Sequence, residues 1–311
     1  MKHYTQIQDI TNLKQAIKEA ILLKLDPFKD QGIGKNKTLM MLFFNSSLRT
    51  RLSTEKAATN LGMNVMSMNI SNAWKLEFED GTVMDMDTTE HIKEAAQVIS
   101  QYADIIAIRA FPTLEDKIKD ESELILNSFK TYATVPVVSL ESATGHPLQS
   151  LTDAITITEY KENPKPKVVL TWAPHPKALP QAVANSFIET MQLMDVDFTI
   201  THPEGYELNP KIVKHTQVNY NQDEALKDAD FIYAKNWSSY QDYGQILSED
   251  ESWKITKDKL GKAKFMHCLP VRRNVVVDDD VLDSDQSIVI QQANNRTFAA
   301  QYILKNLLEN L

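Results

Sequence analysis

The sequence predicts an α/β protein built from two doubly wound parallel-sheet domains joined by interdomain helices. Short apolar runs alternate with amphipathic segments throughout the 311 residues. That alternation is the signature of parallel β-α-β units covered on both faces. The pattern then restarts after Tyr160, and the chain is long enough for roughly two ordinary domains.

Each element follows from local pattern. Leu13, Ile17, Ala20 and Ile21, with Lys24, fall at helical spacing and open the chain. Thr38 to Phe44 reads as a buried strand, and Ser53 to Leu61 as a helix stopped by Gly62. Asn64 to Ile70 is a strand, Glu90 to Tyr102 a helix and Asp104 to Arg109 a strand. Glu121 to Tyr132 is a helix and Pro136 to Leu140 a strand. Leu148 to Tyr160 is helical and bridges the halves, and Lys161 to Pro166 is the best linker candidate. Strands follow at Lys167 to Trp172, Asp197 to Thr201, Phe231 to Ala234 and Lys264 to Cys268, with one more expected at Ser287 to Ile290. Helices are expected at Pro180 to Met194, Asp223 to Lys227 and Asn295 to Leu311. The domains then span 1–148 and 149–294, and the closing helix 295–311 packs back on the first. Doubly wound sheets place ligands at strand C-termini, here in the cleft between the halves.

Composition narrows the partners. The chain is 42% hydrophobic with a formal net charge of -9, and no basic block reverses that sign, so nucleic acid and anionic membranes are not expected. No apolar run is long enough to span a bilayer and no charged-then-apolar leader follows Met1. A single cysteine, Cys268, excludes an intrachain disulfide and fits a cytoplasmic location. The seven histidines show no paired-ligand spacing, so no metal is expected. There is no G-x-G-x-x-G and no Walker loop, and no cofactor is expected. Gly32-Ile33-Gly34-Lys35 precedes a strand instead of following one, so it reads as a turn.

Polar residues cluster where strands end. Ser46-Ser47-Leu48-Arg49-Thr50-Arg51 joins the first strand to a helix. Helix-start amides, hydroxyls and guanidinium groups at such a turn make an anion cradle. The plainer alternative is a capped surface helix. Other strands run into Arg109, into Glu141 and His146-Pro147-Leu148-Gln149, into His175, into Lys235-Asn236-Trp237, and into His267-Cys268-Leu269-Pro270 with Arg272 and Arg273. Singly, each reads as a surface ion pair, a loop or a small core residue. Their joint placement at strand ends favours a site.

These residues resemble the aspartate and ornithine carbamoyltransferase family. Its S-x-R-T-R loop is matched by Ser47-Leu48-Arg49-Thr50-Arg51, its H-P-x-Q by His146-Pro147-Leu148-Gln149 and its H-C-L-P by His267-Cys268-Leu269-Pro270. The resemblance implies that residues 1–148 bind carbamoyl phosphate and that residues 149–294 bind the amino acid. It implies that Ser47, Arg49 and Thr50, with the Leu48 amide, hold the phosphate. Arg109 and His146 bind the carbonyl oxygen, Gln149 the amino group, and Arg296 completes the carbamoyl site. Many relatives have threonine at the Leu48 position, which loses a hydroxyl but keeps the amide. Thr50, Arg109, His146 and Cys268 are expected at the reacting atoms, the first three stabilising charge on the carbonyl oxygen. No covalent intermediate is required, so Cys268 lines the amine pocket with the Leu269 carbonyl. Trp74 lies on a loop that in this family reaches a neighbouring subunit's site, which implies a homotrimer.

The amine follows from finer likeness. There is no Ser-Met-Gly loop of the ornithine-specific type. Trp172 to Pro176 and Lys235-Asn236-Trp237 resemble the N-acylornithine branch, which implies a knotted C-terminal domain and a place in arginine biosynthesis. In that branch Glu141, His175, Lys235, Arg272 and Trp74 surround the acylated amino acid, with Glu141 near the attacking δ-amine. Acetyl-type relatives carry glutamate and succinyl-type relatives proline where this chain has Thr89; a glutamate would repel the distal carboxylate of a succinyl group, and threonine removes that repulsion. The expected substrate is therefore N-succinyl-L-ornithine. The alternatives are N-acetyl-L-ornithine, ornithine, and a non-catalytic anion-binding module. Thr89 has a plainer alternative too, as cap of the helix starting at Glu90.

Overall fold

The structure is a computed structural model that describes residues 1–70 and 74–311. It consists of two compact units, Met1–Leu148 with Arg296–Leu311, and Gln149–Asn295.

The first unit opens with α1 (Leu13–Leu25), capped by Asn12, whose side chain accepts from Gln15 N. There follow β1 (Thr38–Phe43), α2 (Leu48–Asn60), β2 (Asn64–Asn69), β3 (Leu76–Glu77) and β4 (Glu90–His91). Then come α3 (Ile92–Tyr102), β5 (Ile105–Arg109), α4 (Lys117–Glu121), α5 (Leu124–Tyr132), β6 (Val137–Glu141) and α6 (Pro147–Tyr160), which belongs to the second unit from Gln149 onward. Four strands form a parallel sheet in the order β2-β1-β5-β6. The chain leaves β1 toward β2 and returns to add β5 on the other side of β1. That reversal sets the C-terminal ends of β1 and β5 side by side, where open α/β sheets bind ligands. Every residue of β5 and β6 is buried, and Ile92 and Ala96 of α3 and Phe129 of α5 pack against Ile106 and Ile108. A strand covered on both faces requires such a continuous apolar run.

The turn at residues 32–35 is structural. A Cβ on Gly34 would lie 2.6 Å from the Leu61 carbonyl oxygen, which accepts from Gly34 N at 2.8 Å. Gly62 follows α2 at φ 83, a conformation glycine adopts without steric cost.

The second unit carries β7 (Lys167–Trp172), α7 (Ala182–Met191), β8 (Asp197–Thr201), α8 (Pro210–Val213), β9 (Gln217–Asn219) and α9 (Gln222–Leu226). It continues with β10 (Phe231–Lys235), α10 (Lys257–Leu260), β11 (Lys264–Met266), α11 (Asp279–Leu282) and α12 (Val289–Leu308), whose last residues belong to the first unit. Its sheet runs β11-β10-β7-β8-β9, all parallel, with the order reversing between β7 and β10. Leu170, Trp172 and Tyr233 enter one core, while Val169, Ile232 and Phe265 enter another. Neighbours in a strand point to opposite faces, so each face gains its own core.

Five expectations are corrected. Ser287 makes a single bridge to Phe265, and Val289 already begins α12, so Ser287 to Ile290 is not a strand and the closing helix starts before Asn295. Short apolar runs fit either structure locally; here Ile288 and Val289 enter opposite cores. Lys161 to Pro166 lies inside the second unit, tied down because Asn163 Nδ2 and Lys167 N both donate to the Asp230 carboxylate at 2.8 Å. The helix expected from Glu90 starts at Ile92, after Glu90 and His91 pair with β3. The helix expected over Glu121 to Tyr132 is broken at Glu123, which takes φ 51.

Candidate active site

At the first switch point, β1 hands over to α2 through Asn45, Ser46 and Ser47. Ser47 is the N-cap, its Oγ accepting from Thr50 N at 3.3 Å. The capping reading therefore holds, and the first amides of α2 stand at a helix end that favours an anion. Thr50 is buried, and its hydroxyl accepts from Arg296 Nη2 at 2.7 Å. Arg49 is half-buried. Arg51 turns away, donating to Asn69 Oδ1 at 2.6 Å with its guanidinium over the Phe43 ring.

Beside it, β5 ends in the buried Arg109. Its Nη1 donates to the Asn45 and Ser46 carbonyls at 3.1 and 2.5 Å, and its Nη2 to Glu141 Oε2 at 3.0 Å. The ladder between β5 and β6 slips after Ile108, so Arg109 faces Glu141 instead of Leu140. A bulge of this kind re-aims a side chain. Glu141 Oε2 also lies 3.6 Å from Nε2 of the buried His146. One carboxylate thus stands between both groups expected to bind the carbonyl oxygen. Asn45 Oδ1 accepts from Phe111 N at 2.6 Å, tying the turn after β1 to the loop after β5.

The segment around Trp74 is held by its own contacts. Trp74 Nε1 donates to Glu90 Oε2 at 2.7 Å, Thr89 N donates to the Lys75 carbonyl at 2.8 Å, and Lys75 pairs with Asp87. Asn72 and Ala73, which precede Trp74, lie outside the described residues. Trp74 is 42% exposed and Thr89 is exposed. Thr89 does not cap the helix: His91 is the N-cap of α3, its ring accepting from Lys93 N at 3.2 Å. The capping alternative for Thr89 is overturned.

In the second unit, the β7 and β10 ends carry His175 and Lys235. Lys235 is buried and donates to the Asn236 carbonyl at 2.8 Å, while Asn236 Nδ2 donates to the Ala173 carbonyl at 2.9 Å. Arg272 Nε donates to His175 Nε2 at 3.1 Å. That bond requires a neutral ring with its proton on Nδ1, which then donates to the Lys177 carbonyl at 3.0 Å. Burial pushes the His175 pKa down, and the Lys235 and Arg272 cations add to this against the Lys177 bond. Leu269 adopts φ 56 and donates from its backbone to His267 Nδ1 at 2.8 Å. Cys268 is half-buried beside it. Arg273 is engaged elsewhere, with Asp279 and Asp283. Gln149 Nε2 donates to Asp153 Oδ1, which also accepts from Gln292 Nε2, each at 2.7 Å. Gln292 Oε1 in turn accepts from His267 N at 3.0 Å. Sequence reasoning missed Asp153 and Gln292, which hold Gln149 and His267 from behind and belong to no motif.

Among the described residues, no group of three or more His, Cys, Asp or Glu side chains is placed to hold a metal ion, and no helix is long and apolar enough to cross a membrane.

The two sheets, with polar groups gathered at each switch point, define an α/β protein of the kind that binds ligands at strand ends. Residues 2–159 match the aspartate/ornithine carbamoyltransferase carbamoyl-P binding domain, and residues 180–307 match the Asp/Orn binding domain of the same proteins. The chain belongs to the aspartate/ornithine carbamoyltransferase family. It is 56% identical to an N-succinylornithine carbamoyltransferase of Bacteroides thetaiotaomicron, covering 100% of both chains. It is 36% identical to an N-acetylornithine carbamoyltransferase of Xanthomonas campestris, over 99% of this chain and 98% of that one. It superposes with a TM-score of 0.93 and 35% identity on a glutamate-to-alanine variant of N-acetyl-L-ornithine transcarbamylase complexed with carbamyl phosphate and N-succinyl-L-norvaline. That match covers 99% of this chain and 100% of the other.

Proposed function

We propose that this chain transfers the carbamoyl group of carbamoyl phosphate to the δ-amine of N-succinyl-L-ornithine, giving N-succinyl-L-citrulline and phosphate. The observation that carries the reading is the end-to-end likeness to an N-succinylornithine carbamoyltransferase, on a chain that keeps its three site motifs. Ser47, Arg49, Thr50 and the Leu48 amide hold the phosphate at the start of α2, where the helix dipole favours an anion. The uncharged amine attacks the carbamoyl carbon, the bond to the phosphate oxygen breaks, and the nitrogen sheds a proton. Arg109, His146 and the Thr50 hydroxyl take the charge that develops on the carbonyl oxygen, and Arg296 orients that hydroxyl. Losing one such donor costs about 2.7–4 kcal/mol of barrier. Gln149 accepts from the carbamoyl amino group, since its own amide nitrogen is committed to Asp153. Lys235, His175 and Arg272 receive the carboxylates of the acylated amino acid, and Cys268 and the Leu269 carbonyl line the approach of the amine.

Glu141 bonds Arg109, so its part here is to orient that guanidinium as well as to meet the amine. Thr89 and Trp74 read the acyl tail. The solved relative with N-succinyl-L-norvaline carries alanine in place of a glutamate, which fits a tail pocket that rejects a second carboxylate when glutamate lines it. The further parts of the reading are a homotrimer completed by Trp74 of a neighbouring copy, a knotted C-terminal domain, a cytoplasmic location and a step in arginine biosynthesis. The test is a carbamoylation assay offering ornithine, N-acetylornithine and N-succinylornithine side by side. Preferred turnover of the succinyl compound is expected. Preference for the acetyl compound moves the assignment to that branch, and turnover of ornithine alone overturns it.

A further inference from the structure

We propose that Glu123 is a positioning residue that sets the loop carrying His146, a role that rests on the carbamoyl-transfer reading above. Glu123 stands at the break between α4 and α5 in a left-handed conformation, φ 51 and ψ 38. Glycine and asparagine tolerate that conformation best, and a long side chain there is strained. The carboxylate accounts for the choice. Its Oε1 accepts from Ser142 Oγ at 2.7 Å, Thr144 N at 2.7 Å and Thr144 Oγ1 at 2.5 Å. Its Oε2 accepts from Ala143 N at 3.2 Å. Charge-assisted bonds of this kind are roughly twice as strong as neutral ones.

The braced residues lie in the stretch that joins Glu141, at the end of β6, to His146, at the start of α6. Ser142 N donates to the Gly145 carbonyl at 2.7 Å and Gly145 N to Ser142 Oγ at 3.2 Å, so the stretch closes on itself as one small body. Glu123 holds that body from outside. Where the loop sits decides where the His146 ring lies relative to Glu141 and Arg109. Donors to a developing oxyanion stabilise it only when already in place.

The experiment compares the parent protein with Glu123→Asn, which keeps a residue suited to the left-handed conformation, and Glu123→Gln. In Gln the Oε2 position becomes an amide donor, or the Oε1 position does after a flip, so a donor faces a donor. Both variants are expected to fold with a lowered melting temperature, since donors of the loop lose their partner, and to keep the KM for N-succinylornithine. Their kcat is expected to fall roughly 10- to 100-fold, the scale of a misplaced catalytic group. Hydrogen exchange of the amides in residues 142–146 is expected to quicken. Parent kcat together with parent exchange rates in both variants overturns the proposal. Should either variant fail to fold, Ser142→Ala combined with Thr144→Val removes the hydroxyl donors instead, and an unchanged kcat there also overturns it. A parent protein that carbamoylates none of the three amines removes the functional reading; the exchange rates then decide the brace on their own.

Discussion

Arg296 Nη2 donates to the Thr50 hydroxyl at 2.7 Å, joining the closing helix to the turn that opens α2 across 246 positions of sequence. The hydroxyl accepts from the guanidinium, so its own proton is aimed elsewhere. Arg296→Met frees that hydroxyl to rotate. Steady-state kinetics should show kcat down by about the 10²–10³-fold that loss of one oxyanion donor brings, with the far-ultraviolet circular dichroism unchanged. An unchanged kcat would separate Thr50 from the reacting oxygen.

Arg49→Ala removes the guanidinium from the phosphate turn while Ser47 still caps α2. Transfer should fall below detection, and isothermal titration should show carbamoyl phosphate binding weakened beyond measurement. The melting temperature should stay near that of the parent, because Arg49 is half-buried on the first turn of a capped helix. Normal rates for this variant would remove the phosphate assignment.

Thr89→Glu sets a carboxylate beside the acyl tail. Competition between N-succinylornithine and N-acetylornithine should move toward the acetyl compound, through repulsion of the distal carboxylate. An unchanged ratio would mean that Thr89 does not read the tail.

His175 gives a pH dependence whose sign is set by its lowered pKa. The folded protein binds the proton less readily than the unfolded chain, whose histidine titrates near the ordinary 6.5. Stability is therefore lost as the pH falls through 6.5 and until the folded ring itself takes a proton. Protonation also abolishes the bond from Arg272 Nε and sets two cations together. Urea denaturation of the parent and of His175→Gln, on both sides of pH 6.5, should show the variant losing less stability on the acid side.

Gln301→Ala tests how the closing helix is held in the first unit. Gln301 Oε1 accepts from Asn60 Nδ2 at 2.9 Å and its Nε2 donates to the Pro27 carbonyl at 2.7 Å. Removing it leaves a buried amide without its partner, at a cost of about 1–3 kcal/mol. A lower urea midpoint with unchanged m-value is the expected readout.

Much of this was legible in the chain. The strands at 167–172 and 197–201 have the bounds the sequence suggested, since both runs are rich in the β-branched and aromatic residues that favour strands. The polar residues after β1, β5, β7 and β10 were found because each breaks such a run. Ser287 to Ile290 misled because apolar residues bound for two cores look the same in a strand and in a helix. Capping stood as the plainer alternative for Thr89 because threonine is a common cap, and only the pairing of β4 with β3 moved the helix start to Ile92.

The sequence by itself determined the order of the elements and the chemical groups waiting at each strand end. Periodicity and motif are properties of chain neighbours, so both can be read without coordinates. Tertiary structure alone decided which groups meet: Glu141 facing Arg109 through a slipped ladder, Arg296 against Thr50, Asp153 behind Gln149, and Glu123 under the loop before His146. A hydrogen bond between residues far apart in the chain leaves no local trace, because its geometry comes from how the sheet and helices pack and not from either residue's neighbours.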